Sequence, residues 1–126
     1  MHNTFKHITK FIKIILLSIL CVLFVSASNA QLTVEDIIKG RQALLSKNYS
    51  IAKRVQSFSS KGDFEKAKKL MEEMSENYNV LIDMFPANTQ EGFDTEALPI
   101  IWEEKEIFNT LMQKASDDMI QLTSVI

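Results

Sequence analysis

The sequence predicts an all-α protein, with three long helices in an antiparallel bundle behind an N-terminal export signal. Three observations predict it. No segment alternates polar and apolar residues with the period of a strand. Apolar residues recur at three- and four-residue spacings over three stretches. The stretches are separated by segments that hold the Gly and Pro residues expected of breaks.

The N-terminus comes first. His2, Lys6, His7, Lys10 and Lys13 form a basic region without an acidic residue, and Ile14 to Val25 is apolar except for Ser18. Ser28 and Ala30 follow as small residues at the positions a signal peptidase reads. This is the layout of a secretory signal peptide over residues 1–30, cleaved after Ala30. The apolar run is short for a retained membrane helix, which needs roughly 20 residues. Bulky Leu20 before Cys21 argues against a lipoprotein. The expected location is the periplasm, with no membrane association after cleavage.

Cleavage leaves residues 31–126, in which 11 Lys and Arg face 16 Asp and Glu, a net charge of −5. An acidic domain is repelled by phosphate backbones, so nucleic acid is not an expected partner. Both histidines and the single cysteine precede residue 31. Residues 31–126 therefore offer no disulfide, no Cys or His metal ligand, no thiol nucleophile and no Cys-x-x-Cys-His motif for haem attachment. No metal site and no catalytic residue is expected, and the protein is read as not an enzyme.

The first helix is expected over about 34–59. Thr33 with Asp36 suits an N-terminal capping box. Ile37, Leu44, Ile51, Val55 and Phe58 share one face, widened by Ile38, Leu45 and Ala52. Arg41 and Asn48 fall inside that stripe, where a polar group needs a partner. Lys61-Gly62-Asp63 then provides a left-handed stop and the next N-cap.

The second helix is expected over about 64–84. Phe64, Ala67, Met71, Met74, Tyr78, Leu81 and Phe85 repeat at alternating spacings of three and four, a bundle seam. The short turn makes helices one and two antiparallel neighbours. Phe85-Pro86 closes the seam, because a residue before Pro avoids helical geometry. Residues 86–97 form a polar crossover. The third helix is expected over about 99–124, opening at Pro99 and carrying Phe108, Met112, Ala115, Met119, Leu122 and Ile126.

The Met residues on the seams read as core filling. Glu72, Glu73 and Glu76, with Glu103, Glu104 and Glu106, read as solvated faces, since a di-iron bundle also needs Glu-x-x-His. Asn48-Tyr49-Ser50 matches a glycosylation sequon but lies within a helix.

The opening segment from Val34 to Leu45, with its Arg41-Gln42 pair, resembles the first helix of the cytochrome c-prime family, the class II c-type cytochromes. Phe85-Pro86, then Thr95-Glu96-Ala97-Leu98-Pro99 and Trp102, with Phe108 six residues later, resemble that family's crossover and entry to its third helix. The resemblance covers about residues 32–126. It implies an antiparallel bundle of the cytochrome c-prime four-helix type, carrying haem c through Cys-x-x-Cys-His on a fourth helix. It implies electron transfer or the binding of NO or CO, a redox partner, and a homodimer. By the same resemblance, Arg41 approaches a haem propionate, Gln42 and Glu96 lie against the haem edge, and Leu45 covers the distal iron face. Only three of the four helices are expected in this sequence, which is read as an incomplete bundle of this type. The alternative reading is a haem-free periplasmic helical bundle that binds partners through an exposed apolar groove.

Overall fold

The computed structural model describes residues 31–126, and Leu32–Ile126 form one compact unit. The reading of residues 1–30 as an export signal lies outside the described residues. Helix α1 spans Val34–Ser60. The Asp36 amide donates to Thr33 Oγ1 at 3.1 Å and the Thr33 amide to Asp36 Oδ2 at 3.0 Å, a reciprocal capping box. At the other end the Asp63 amide donates to Phe58 O (2.9 Å) and the Gly62 amide to Ser59 O (3.0 Å). That pattern needs a left-handed residue after the cap, and Gly62 supplies it at φ 75° without a Cβ clash.

Asp63 then caps α2, Phe64–Ile82. This helix stops two residues short of the expected end, with Asp83 and Met84 in a turn ahead of Pro86. A 3-10 turn, Ala87–Thr89, opens the crossover. The third helical stretch differs from expectation, because it is kinked rather than continuous. Helix α3 spans Ile100–Glu103 and α4 spans Lys105–Thr123, with Glu104 at φ −117°, ψ 48° between them. Residues on both sides of the kink are anchored to one point. Trp102 Nε1 donates to Phe85 O at 2.9 Å and to Pro86 O at 3.2 Å, and Lys105 Nζ donates to Phe85 O at 3.1 Å.

Helix α2 packs against α1 on one side and α4 on the other, while α1 and α4 make next to no direct contact. The apolar centre is Ile51, Leu70 and Met74, with Val55, Phe58, Tyr78 and Met119 packed around it. The polar residues in the seams are paired across helices. Asn77 Nδ2 donates to Asn48 Oδ1 at 2.7 Å, joining α1 to α2. Asn48 is buried in that pair and turned away from solvent, as the mid-helix reading of its sequon requires. Ser75 and Ser116 hydroxyls lie 2.7 Å apart, joining α2 to α4, and two such small residues let the helices approach closely. The apolar stripe of α1 is narrower than its sequence suggests. Leu45 and Ala52 are exposed, while Arg41 and Asn48 are buried. A three-helix row of this kind has an open side between α1 and α4.

Candidate functional site

Arg41 is the largest fully buried side chain, at 1% exposure, and it sits two turns into α1. Its guanidinium reaches across to the crossover. Nη1 donates to Thr89 Oγ1 (2.8 Å) and Met84 O (3.2 Å), and Nη2 donates to Thr89 O (2.8 Å) and Thr95 Oγ1 (2.8 Å). A planar fork with fixed donors suits two or more acceptors held in one plane, which an ammonium does not match. Gln42, the next residue, donates from Nε2 to Asp94 O at 3.0 Å. Two consecutive residues of α1 therefore hold the far loop in place.

That loop needs holding. Gly92, Phe93 and Asp94 follow one another at φ of 91°, 51° and 57°. Glycine adopts this region freely, but each non-glycine residue there costs about 1–2 kcal/mol. The Gln42 bond falls on the Asp94 carbonyl, and the Arg41 bonds bracket the strained run at Thr89 and Thr95.

An aromatic cluster backs the clamp. The Phe85 ring is edge-on to Phe108 at 4.7 Å between centroids and tilted against Trp102 at 6.1 Å. Arg41 lies 4.6 Å from the Phe85 centroid and Lys105 lies 5.4 Å from it. A desolvated cation over an aromatic face gains on the order of 2 kcal/mol. Among the described residues neither Arg41 nor Lys105 has a carboxylate partner; the ion pairs involve other lysines. Burial pushes the Arg41 guanidinium down from its usual value, and it remains a cation. Burial, and after it the charge on Arg41, pushes the Lys105 ammonium down, with Asp83 pulling the other way.

These parts enclose a cleft of about 530 Å³ on the open side of the helix row. Its volume lies within the roughly 300–1,000 Å³ of small-molecule sites. Arg41, Gln42, Leu45 and Glu96 all line it, so the structure brings the four sequence-predicted residues to one place. Leu45 is 44% exposed and forms an open apolar wall one turn beyond Arg41. Phe85, Ile101, Phe108 and Met112 supply the rest of the apolar lining, and Asp94, Thr95 and Ala97 the loop side. Sequence reasoning did not single out Met112 or Ile101 as site residues, although the seam spacing placed Met112 on the face of α4 that turns inward. The floor of the cleft is cationic and its rim, with Asp94 and Glu96, is anionic. Among the described residues no group of three or more His, Cys, Asp or Glu side chains could hold a metal ion.

The family model described as Cytochrome C' matches residues 36–126. The chain belongs to the cytochrome c-prime family. It is 32% identical over 82 residues to the cytochrome c' of Rhodopseudomonas palustris, a match covering 63% of this chain and 56% of the relative. The chain thus spans a little over half the length of the curated relative it matches. No solved structure matches the chain. Its all-helical row of antiparallel helices is a bundle of the cytochrome c-prime type. No helix among the described residues is long and apolar enough to cross a membrane.

Proposed function

We propose that this protein acts as a haem-binding member of the cytochrome c-prime family in the periplasm, in electron transfer or in binding NO or CO. The single observation that carries the reading is the cleft, which gathers Arg41, Gln42, Leu45 and Glu96 around an apolar space of ligand size. The walls fit the porphyrin, while the lining contains neither the Cys nor the His through which the family's motif tethers and ligates haem. A flat apolar macrocycle suits walls made of Leu45, Phe85, Ile101, Phe108 and Met112. A propionate suits the charge of the floor and not its donors, since each Nη of Arg41 already donates to two acceptors of the crossover. When bound, haem supplies an iron that changes valence and takes up diatomic ligands.

The chain's own residues do the rest. Arg41 and Gln42 hold the crossover so that the loop side of the cleft keeps its shape. Phe85 and Phe108 exclude water from the inner wall. Leu45 offers no donor atom, so the wall it forms leaves space beside a bound group without competing for it. The positive potential of Arg41, reinforced by Lys105, favours an anion at the floor. Covalent attachment requires Cys-x-x-Cys-His, which residues 31–126 do not contain.

A second reading, a haem-free bundle that binds partners, is favoured by one observation: residues 31–126 hold neither His nor Cys. The two separate in one experiment. The protein is exported in cells that mature c-type cytochromes, purified, and its absorbance recorded before and after reduction and exposure to CO and NO. The haem reading expects a Soret band that shifts with each gas. A colourless protein that takes up no added hemin overturns it.

A further inference from the structure

We propose that the outer face of α3 and the first turns of α4 is a docking surface for a protein whose own face has an apolar centre and a lysine- or arginine-rich rim. This inference is independent of what fills the cleft. Ile100, Ile107 and Leu111 are 46%, 56% and 60% exposed and lie together on one face. They line a shallow depression of about 130 Å³ together with Ile101, Glu104 and Phe108. A second depression of about 420 Å³ adjoins it, sharing Glu104 and Ile107 and adding Trp102, Glu103, Lys105 and Glu106. Ile101 and Phe108 also line the main cleft, so the outer surface and the cleft share a wall.

Charge identifies the occupant. Residues 83–106 contain seven carboxylates and one cation, Lys105. The Lys105 ammonium is turned inward onto Phe85 O, so it does not offset the exposed Glu103, Glu104 and Glu106 around the apolar stripe. None of those three is in an ion pair among the described residues. At the far end of α1, some 30 Å from Arg41 at 1.5 Å per residue, residues 53–69 hold six cations and two carboxylates. The molecule is therefore electrically polarised along the helices.

An anionic lipid surface is repelled by this rim. A second copy docked through the same face sets glutamate against glutamate. A second copy docked head to tail brings cations, but Phe64 is the only large apolar side chain exposed between residues 53 and 69, against three in the stripe. A protein with a cationic rim around an apolar centre meets both halves of the surface, and opposite potentials also speed its approach.

Trp102 is the chain's one tryptophan and lines the outer depression, so its emission reports occupancy. The probe is a synthetic amphipathic helix of leucine and lysine, with a leucine–glutamate peptide of the same length as control. The lysine peptide is expected to shift Trp102 emission with an affinity that falls steeply with salt, and the glutamate peptide to leave it unchanged. Glu103→Lys/Glu104→Lys/Glu106→Lys should weaken binding at least about tenfold and flatten the salt dependence. Ile107→Ser/Leu111→Ser should weaken it while keeping that dependence. The wild-type peptide comparison needs no variant, so a misfolded variant does not blunt the test. Equal binding of both peptides, no effect of either variant, the same emission shift on phosphatidylcholine vesicles, or self-association in sedimentation that charge reversal abolishes would each overturn the proposal.

Discussion

Arg41 and Thr89 lie 48 residues apart and meet as a two-point contact: Nη1 donates to the Thr89 hydroxyl and Nη2 to the Thr89 carbonyl, both at 2.8 Å. Thr89 is itself fully buried and tied to Pro86 O through its hydroxyl and its amide. The contact joins the first helix to the crossover and fixes the loop side of the cleft.

Removing the fork leaves buried acceptors at Met84 and Thr89 without donors. Arg41→Met is expected to destabilise the fold by about 3 kcal/mol, in the range for breaking a buried polar network. Arg41→Lys should recover only part of this, since an ammonium is a point donor. Urea unfolding followed by circular dichroism measures both. If Arg41→Lys is as stable as wild type, fork geometry is not what holds the loop.

The Asn48–Asn77 pair is buried, and Asn48 Nδ2 has no partner among the described residues. Asn48→Leu and Asn77→Leu should each cost about 1–3 kcal/mol, because each strands a buried amide. The double variant should cost less than the sum and approach wild-type stability. A double-mutant cycle in urea checks this; strict additivity would show that the two amides do not depend on each other.

Stability should depend on pH at both ends of the scale. The Asp36 carboxylate is held down by its side-chain bond to Thr33, and that of Asp63 by its bond to Lys66. Groups lowered in the folded state stabilise it above their unfolded values, and that contribution is lost as pH falls through the folded ones. Asp36 is exposed and Asp63 only half-buried, so the acid effect should be small and mainly fray helix starts. Lys105 gives a slope of the same sign, at the alkaline end of the scale. Its folded value is also lowered, but for an amine this penalises the charged form, and raising the pH through that value relieves the penalty. Urea midpoints should rise on the alkaline side, and Lys105→Gln should abolish the rise.

Much of this architecture was legible in the residues. Lys61-Gly62-Asp63 announced a stop, a left-handed residue and a cap, and each takes that place. The alternating seam from Ala67 to Leu81 announced a bundle-facing stripe, and Ala67, Met71, Met74 and Leu81 are buried along it. Arg41 inside an apolar stripe announced a buried group in need of partners. Those partners were not legible, since two carbonyls and two hydroxyls between Met84 and Thr95 are chosen by tertiary packing. The kink at Glu104 left no trace either, because Ile100 to Phe108 contains no Gly or Pro and reads as continuous helix. The four cleft residues were legible only through resemblance, as nothing local distinguishes Leu45 from a core leucine. Its 44% exposure explains why the stripe of α1 looked wider in sequence than it is.

That exposure also makes Leu45 a clean probe. Leu45→Ala should leave stability within about 0.5 kcal/mol of wild type, as expected for a surface position. Thermal unfolding decides it; a loss of several kcal/mol would mean that Leu45 is core and the cleft is closed in solution.

The most direct measurement is a hemin titration of the purified protein against Leu45→Trp, followed in the Soret region. A tryptophan at 45 fills the open wall of the cleft one turn beyond Arg41, so an unchanged urea midpoint is the check that the clamp from Arg41 to Thr89 is intact. The account predicts saturable hemin uptake by the wild-type protein, and uptake weakened at least about tenfold in a variant that unfolds at the same urea concentration. Equal uptake by both proteins, or none by either, would contradict the assignment of this cleft as the haem site.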